Sequence, residues 1–129
     1  MRRFDASLRD AETAYLQAVI DTPTRTPTFV ELPREWCPDS WFVDGALRKV
    51  PKYDRPHCRF LRALYGHPEA GVLWEGKLDD IIKNLGWSSI PGNGGVYVHA
   101  KTKAAIVVYV DDMLLLSSPR DTDVLWRDL

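Results

Sequence analysis

Two adjacent carboxylates, Asp111 and Asp112, interrupt an otherwise almost wholly apolar run, with residues 104–110 ahead of them and 113–116 behind. Both flanks have high β propensity, so the pair is expected to cap a β-hairpin. Asn-Gly or Asp-Gly would make a better turn if stability alone mattered. Two like charges at a tight turn repel, and a divalent cation would relieve that conflict. Oxygen-only ligands suit Mg²⁺ or Mn²⁺ rather than zinc. The plainer alternative is a solvated acidic turn. Two-metal phosphoryl transfer needs ions roughly 3.5–4 Å apart, bridged by carboxylates from different elements. A third carboxylate is therefore required. Asp10 is suitably placed, where a first strand should give way to a helix, with the aromatic Tyr15 five positions later. Asp5 competes but lacks the Thr-Ala-Tyr-Leu that follows Asp10. On this reading Asp10 and the Asp111-Asp112 turn converge, buried between apolar strands, with the Asp10 and Asp111 carboxylates within roughly 3–6 Å.

The elements that must position these groups can be read from the pattern. Residues 14–20 form a plausible short helix after Asp10, ended by the Pro/Thr-rich stretch 22–27. A short strand is expected over 28–32. Residues 33–58 read as irregular, punctuated by Pro33, Pro38, Pro51 and Pro56, and carry Trp36, Trp41 and Phe42, which need a surface to pack on. The clearest helix covers about 69–85. Trp74, Leu78, Ile81, Ile82 and Leu85 form its apolar stripe, Glu75, Asp79 and Lys83 its exposed face, and Gly86 its stop. After the glycine-rich turn 91–95, three strands follow at 96–99, 104–110 and 113–117. The fold class is α+β: a small antiparallel sheet built on the Asp111-Asp112 hairpin and the Asp10 strand, backed by the 69–85 helix.

Composition bounds the function. The 129 residues fit one domain, with 45% hydrophobic and 27% charged residues, ordinary values for a globular protein. A net charge of −1 gives no global sign of nucleic-acid binding. Locally, Arg48, Lys49, Lys52, Arg55, Arg59 and Arg62 face one acid, Asp54. That cluster suits a phosphate backbone or, more plainly, a solvated loop. Cys37 and Cys58 make no disulfide framework, and with His57 and His67 they match no zinc template. Neither a signal peptide nor an apolar run of about 18 residues is visible, so an intracellular location, cytoplasm or nucleus, is expected and no membrane partner.

Four blocks in order carry a family resemblance: Asp10-Ala11-Glu12-Thr13-Ala14-Tyr15-Leu16-Gln17; Thr28-Phe29-Val30-Glu31-Leu32-Pro33; Ala63-Leu64-Tyr65-Gly66 with Trp74, Lys77-Leu78 and Leu85-Gly86-Trp87; and Tyr109-Val110-Asp111-Asp112. Together they resemble copia-type retrotransposon reverse transcriptases, most strongly over residues 8–118. The resemblance implies part of a palm and fingers, with a Tyr-Val-Asp-Asp hairpin packed on helices. It implies RNA-directed DNA synthesis in the intact parent, with Asp10, Asp111 and Asp112 holding two Mg²⁺ ions, or Mn²⁺. Tyr15 would be a steric gate, and Tyr65, Gly66 and Glu69 would line the nucleotide pocket. The basic 48–62 stretch would approach nucleic acid. Partners would be an RNA or DNA template-primer and dNTPs, with the remaining fingers, a thumb and an RNase H region supplied by the parent polyprotein. Where the family reads Leu-Lys-Gln-Ala-Pro, this chain has His67-Pro68-Glu69-Ala70-Gly71. Glu69 then either adds charge near the triphosphate or serves as a helix N-terminal acid. Lacking the other parts, the chain alone is expected to show no appreciable polymerisation. Two further readings are a catalytically silent transposon remnant, with at most weak nucleic-acid binding, and a host interaction module that reuses the palm.

Overall fold

The computed structural model describes residues 3–46 and 48–129. Where length would allow one domain, the chain divides into two compact units, Met1–Val19 with Arg62–Leu129, and Ile20–Leu61.

The first unit holds a five-stranded antiparallel sheet in the order β1-β9-β8-β7-β6. Its strands are β1 (Asp5–Asp10), β6 (Trp87–Ile90), β7 (Asn93–His99), β8 (Ala105–Tyr109) and β9 (Asp112–Ser117). Three helices accompany them: α1 (Ala14–Gln17), α2 (Ala70–Asn84) and α3 (Thr122–Asp128). The expected α+β architecture is thus present, with β1 beside the hairpin strands. Along β9, Met113, Leu115 and Ser117 are buried while Asp112, Leu114 and Leu116 are exposed, the period of two that a sheet with one covered face imposes. Ile106 of β8 and Tyr97 of β7 join the covered side, where the core also takes Trp74, Leu78 and Ile82 of α2 and Leu125 and Trp126 of α3.

Helix α2 matches its sequence reading closely, and Gly86 at φ 88 ends it as expected. Burial of the stripe is less even than the periodicity suggests. Trp74, Leu78 and Ile82 are buried, but Ile81 and Leu85 only half so. Asp79 is not fully exposed either. It accepts hydrogen bonds from Lys83 (2.7 Å) and from the Tyr97 hydroxyl (3.0 Å), which ties α2 to β7.

Several expectations need correction. Helix α1 has four residues, because Ala18 is already extended and Ala63 donates to its carbonyl at 2.9 Å. The glycine-rich turn shrinks to Pro91-Gly92, with φ 79 at Gly92, and Asn93–Gly95 joins β7. Strand β6 and helix α3 were not expected from the pattern. The strand expected over 28–32 is present as β2 (Phe29–Glu31), whereas the 33–58 stretch, read as irregular, supplies further short strands of the second unit. There β2 pairs with β5 (His57–Arg59), and β3 (Phe42–Asp44) with β4 (Lys49–Pro51). No described helix is long and apolar enough to cross a membrane.

Candidate metal and nucleotide site

The carboxylate hairpin is built one residue earlier than expected. Tyr109 pairs with Asp112, so the two turn residues are Val110 and Asp111, and Asp112 is the first residue of β9. Val110 has φ 58, whereas Asp111 is not in the positive-φ region. A first turn residue at positive φ is the position that glycine takes in a two-residue hairpin. A β-branched side chain there is strained, at a cost of order 1–3 kcal/mol, and persists only where its surroundings over-determine it.

Asp10 ends β1 directly opposite Asp112 on β9. Tyr109, Asp112 and Asp10 therefore form one row across three strands. Directly opposite residues in such a ladder have Cβ atoms about 4.5–5.5 Å apart, and like charges so placed are destabilising. The backbone joins the third aspartate to the row: the Ala11 amide donates to the Asp111 carbonyl at 2.8 Å. Asp5 opens β1 opposite Ser117, a full strand length away, and its carboxylate is bonded by Arg3 at 3.1 Å. Register thus selects Asp10 over Asp5 as the neighbour of the hairpin.

Burial differs from the sequence reading. Asp10 and Asp112 are exposed and Asp111 half-buried. The row lies at the end of the sheet's open face, where carboxylates remain hydrated. Among the described residues, none of the three side chains forms a hydrogen bond or ion pair. Oxygen-only donors with no competing cation fit a hard divalent metal in kind. Their assembly is incomplete, however: among the described residues no three His, Cys, Asp or Glu side chains stand together closely enough to hold an ion.

Behind the row, Trp74 of α2 is 2% exposed and its indole Nε1–H donates to the Val110 carbonyl at 2.5 Å. A groove of about 580 Å³ lies alongside, with Trp74, Tyr97, Tyr109 and Val110 among its walls. A smaller cavity of about 240 Å³ has Asp10, Trp74, Met113 and Trp126 in its lining. Strand β1 is held over α3 by Trp126, whose Nε1–H donates to Ser7 Oγ at 2.8 Å and whose ring lies 5.2 Å from the Arg9 guanidinium. Sequence reasoning placed Trp74 in the core and missed its polar role. The signal available was the type of residue, since a buried tryptophan needs an acceptor.

Of the expected nucleotide-pocket residues, Tyr15 and Tyr65 come together, with ring centroids 4.5 Å apart at 44°. Tyr15 is half-buried and Tyr65 exposed. Gly66 has φ 89, a conformation suited to glycine. Glu69 is the N-cap residue of α2, and its amide donates to His67 Nδ1 at 3.2 Å, while its side chain makes no capping bond.

The six basic residues do not form one free surface. Arg55 grips Glu31 with a 2.7 Å bond, holding that carboxyl below its usual range, and Arg59 is paired with Asp21. Lys52 donates to the Ser40 carbonyl at 2.6 Å. Arg62, in the first unit, donates to the Gln17 carbonyl at 2.8 Å, which Lys77 also reaches. Arg48 and Lys49 are exposed, and their side chains make no hydrogen bond or ion pair among the described residues.

Comparison with known proteins agrees with the order of the blocks. A family model described as reverse transcriptase (RNA-dependent DNA polymerase) matches residues 9–125. A Saccharomyces cerevisiae protein named for the transposon Ty5-1 is 28% identical over 127 residues, which is 93% of this chain and 35% of the yeast protein. The chain thus spans about a third of that relative's length. No solved structure matches.

Proposed function

The chain belongs to the reverse transcriptase family, and from that premise we propose that it supplies the carboxylate centre for RNA-directed DNA synthesis in a copia-type retrotransposon polymerase. The observation that carries the proposal is the register of Asp10 against Asp112, with Asp111 in the adjoining turn. Two carboxylates opposed across two strands repel each other, and a cation between them would relieve that. Asp10, Asp111 and Asp112 would hold two Mg²⁺ ions, or Mn²⁺, drawing the three carboxylates together. When bound, such ions activate a primer 3′-hydroxyl and steady the departing pyrophosphate. The chain's own groups then orient the reactants. The Tyr15 ring, braced by Tyr65, would crowd the sugar 2′ position, so that a ribonucleotide fits poorly and a dNTP fits. Gly66 would let the backbone approach the nucleotide, and Glu69 would mark the start of α2 at its edge. Arg48 and Lys49, exposed and without side-chain partners among the described residues, would be the members of the basic cluster that meet template-primer phosphates. The palm and fingers assignment, and a cytoplasmic or nuclear setting, go with this reading.

A second reading is favoured by the incomplete gathering of the carboxylates and by the internal pairing of Arg55 and Arg59. On it, the segment is a catalytically silent derivative of a retrotransposon. Primer extension on an RNA template separates the two, using a complete reverse transcriptase that carries this segment. The first reading predicts that Asp112→Asn lowers incorporation at least about a hundredfold, as expected when a group that stabilises transition-state charge is lost. Incorporation by the unaltered enzyme no higher than the background shown by the variant would leave only the silent reading.

A further inference from the structure

We infer that Trp74 is the positioning residue of the carboxylate turn, holding Val110 in its strained conformation so that Asp111 and Asp112 meet Asp10. This inference rests on the reading of those aspartates as metal ligands, but its geometry stands apart from any metal.

The turn has two successive carbonyls, and each is taken by a donor from a different element. The indole of Trp74, on α2, holds that of Val110 at 2.5 Å. The Ala11 amide, just beyond β1, holds that of Asp111 at 2.8 Å. The Val110 carbonyl belongs to the peptide plane that carries the Asp111 amide. Fixing it therefore fixes the plane from which the Asp111 side chain departs. The Asp111 carbonyl in turn belongs to the plane that leads into Asp112, whose partner across the strands is Asp10. Each donor restrains a different plane of the turn.

The element behind the indole is well anchored. Trp74 lies in the same buried stripe as Leu78 and Ile82. Helix α2 is tied to β7 through Asp79 and Tyr97, and to the end of α1 through Lys77 and the Gln17 carbonyl. Filling the core does not require a nitrogen, and phenylalanine would pack there too. The N–H is explained by the carbonyl it meets. Without that acceptor the buried donor would be left unsatisfied, which is costly. Val110 occupies a position that glycine would adopt freely, so its conformation depends on being held.

The test uses the whole 129-residue chain. Trp74→Phe removes the donor and keeps a ring. Replacing Trp74 by benzothienylalanine, which puts sulfur in place of the N–H, keeps the shape as well and serves if phenylalanine fails to fold. Two quantities are measured: exchange of the Ala11 amide by NMR, with the His99 amide in the β7–β8 hairpin as control, and Mn²⁺ binding by electron paramagnetic resonance. Loss of the hydrogen bond should speed Ala11 exchange about tenfold and weaken Mn²⁺ binding by a similar factor, with His99 exchange unchanged. Adding Val110→Gly should recover part of both losses, a rescue that a merely space-filling role would not produce. Unchanged Ala11 exchange in either folded variant overturns the inference. Failure of the unaltered chain to bind Mn²⁺ would count against the metal reading instead, and Ala11 exchange would still decide the role of Trp74.

Discussion

The two units of this chain are stabilised by different means. In the first, one buried apolar cluster gathers residues of the sheet and of helices α1, α2 and α3, and the candidate aspartates lie on strands of that sheet or in its hairpin turn. In the second, no described residue after Ile20 is buried. Phe29, Trp36 and Tyr53 are exposed. What holds it together lies at the surface: the Glu31–Arg55 and Asp21–Arg59 pairs, two three-residue strand pairings, and Trp41 meeting Tyr53 edge to face at 5.4 Å. Exposed ion pairs contribute little and are screened by salt. The difference teaches where pre-organisation is available. A site that needs carboxylates fixed to within an ångström belongs beside a packed core, whereas a surface that follows a polyanion can be built from mobile loops.

The largest effect should come from the core behind the aspartates. Leu115 is fully buried on β9, between Met113 and Ser117. Leu115→Ala should cost about 2–5 kcal/mol in chemical denaturation, while Tyr53→Ala in the second unit should cost less than about 1 kcal/mol. A Tyr53→Ala loss as large as that of Leu115→Ala would erase the contrast between the units. A smaller effect is expected at high pH. Burial, and then the hydrogen bond to Asp79, push the Tyr97 hydroxyl up to about 12. Its folded-state value lies above the unfolded one, so its contribution is complete below about pH 10 and is lost as pH rises toward 12. Stability measured from pH 9 to 12 should therefore fall by roughly 1–2 kcal/mol more in the native chain than in Tyr97→Phe. Parallel curves would mean that the tie between α2 and β7 is not part of what makes the first unit rigid.

How much of this was legible beforehand depended on the reach of each signal. Helix α2 was readable because its stripe is long and its stop is Gly86, both local features. The pairing of β1 with the hairpin strands followed from the demand for a third carboxylate, and the register of Asp10 with Asp112 agrees with it. The turn was placed one residue late because strain is invisible to propensity: nothing local says that Val110, a strand former, will adopt φ 58. The aspartates were expected to be buried because apolar residues flank them. Alternation explains the error, since Leu114 and Leu116 share the exposed face with Asp112 while Met113 and Leu115 face the core. The basic cluster looked uniform in sequence. Its partners Glu31 and Asp21 come from distant positions, which only tertiary structure pairs with Arg55 and Arg59. In the second unit β2 was legible as the strand over 28–32, but β3, β4 and β5 have too little pattern to read against their prolines.

The central claim is that Asp10 and the Val110-Asp111-Asp112 hairpin form one divalent-cation site, and Fe²⁺-directed backbone cleavage tests it most directly. Fe²⁺ takes oxygen sites of this kind, and with ascorbate and peroxide it cuts the chain beside its ligands. On this account the folded chain is cut both near Asp10 and near Asp111-Asp112, and excess Mg²⁺ suppresses both cuts. Asp10→Asn should abolish the two together, because each ion needs carboxylates from both strands. Cleavage at the hairpin that survives Asp10→Asn undiminished, or no cleavage at either place, would contradict it.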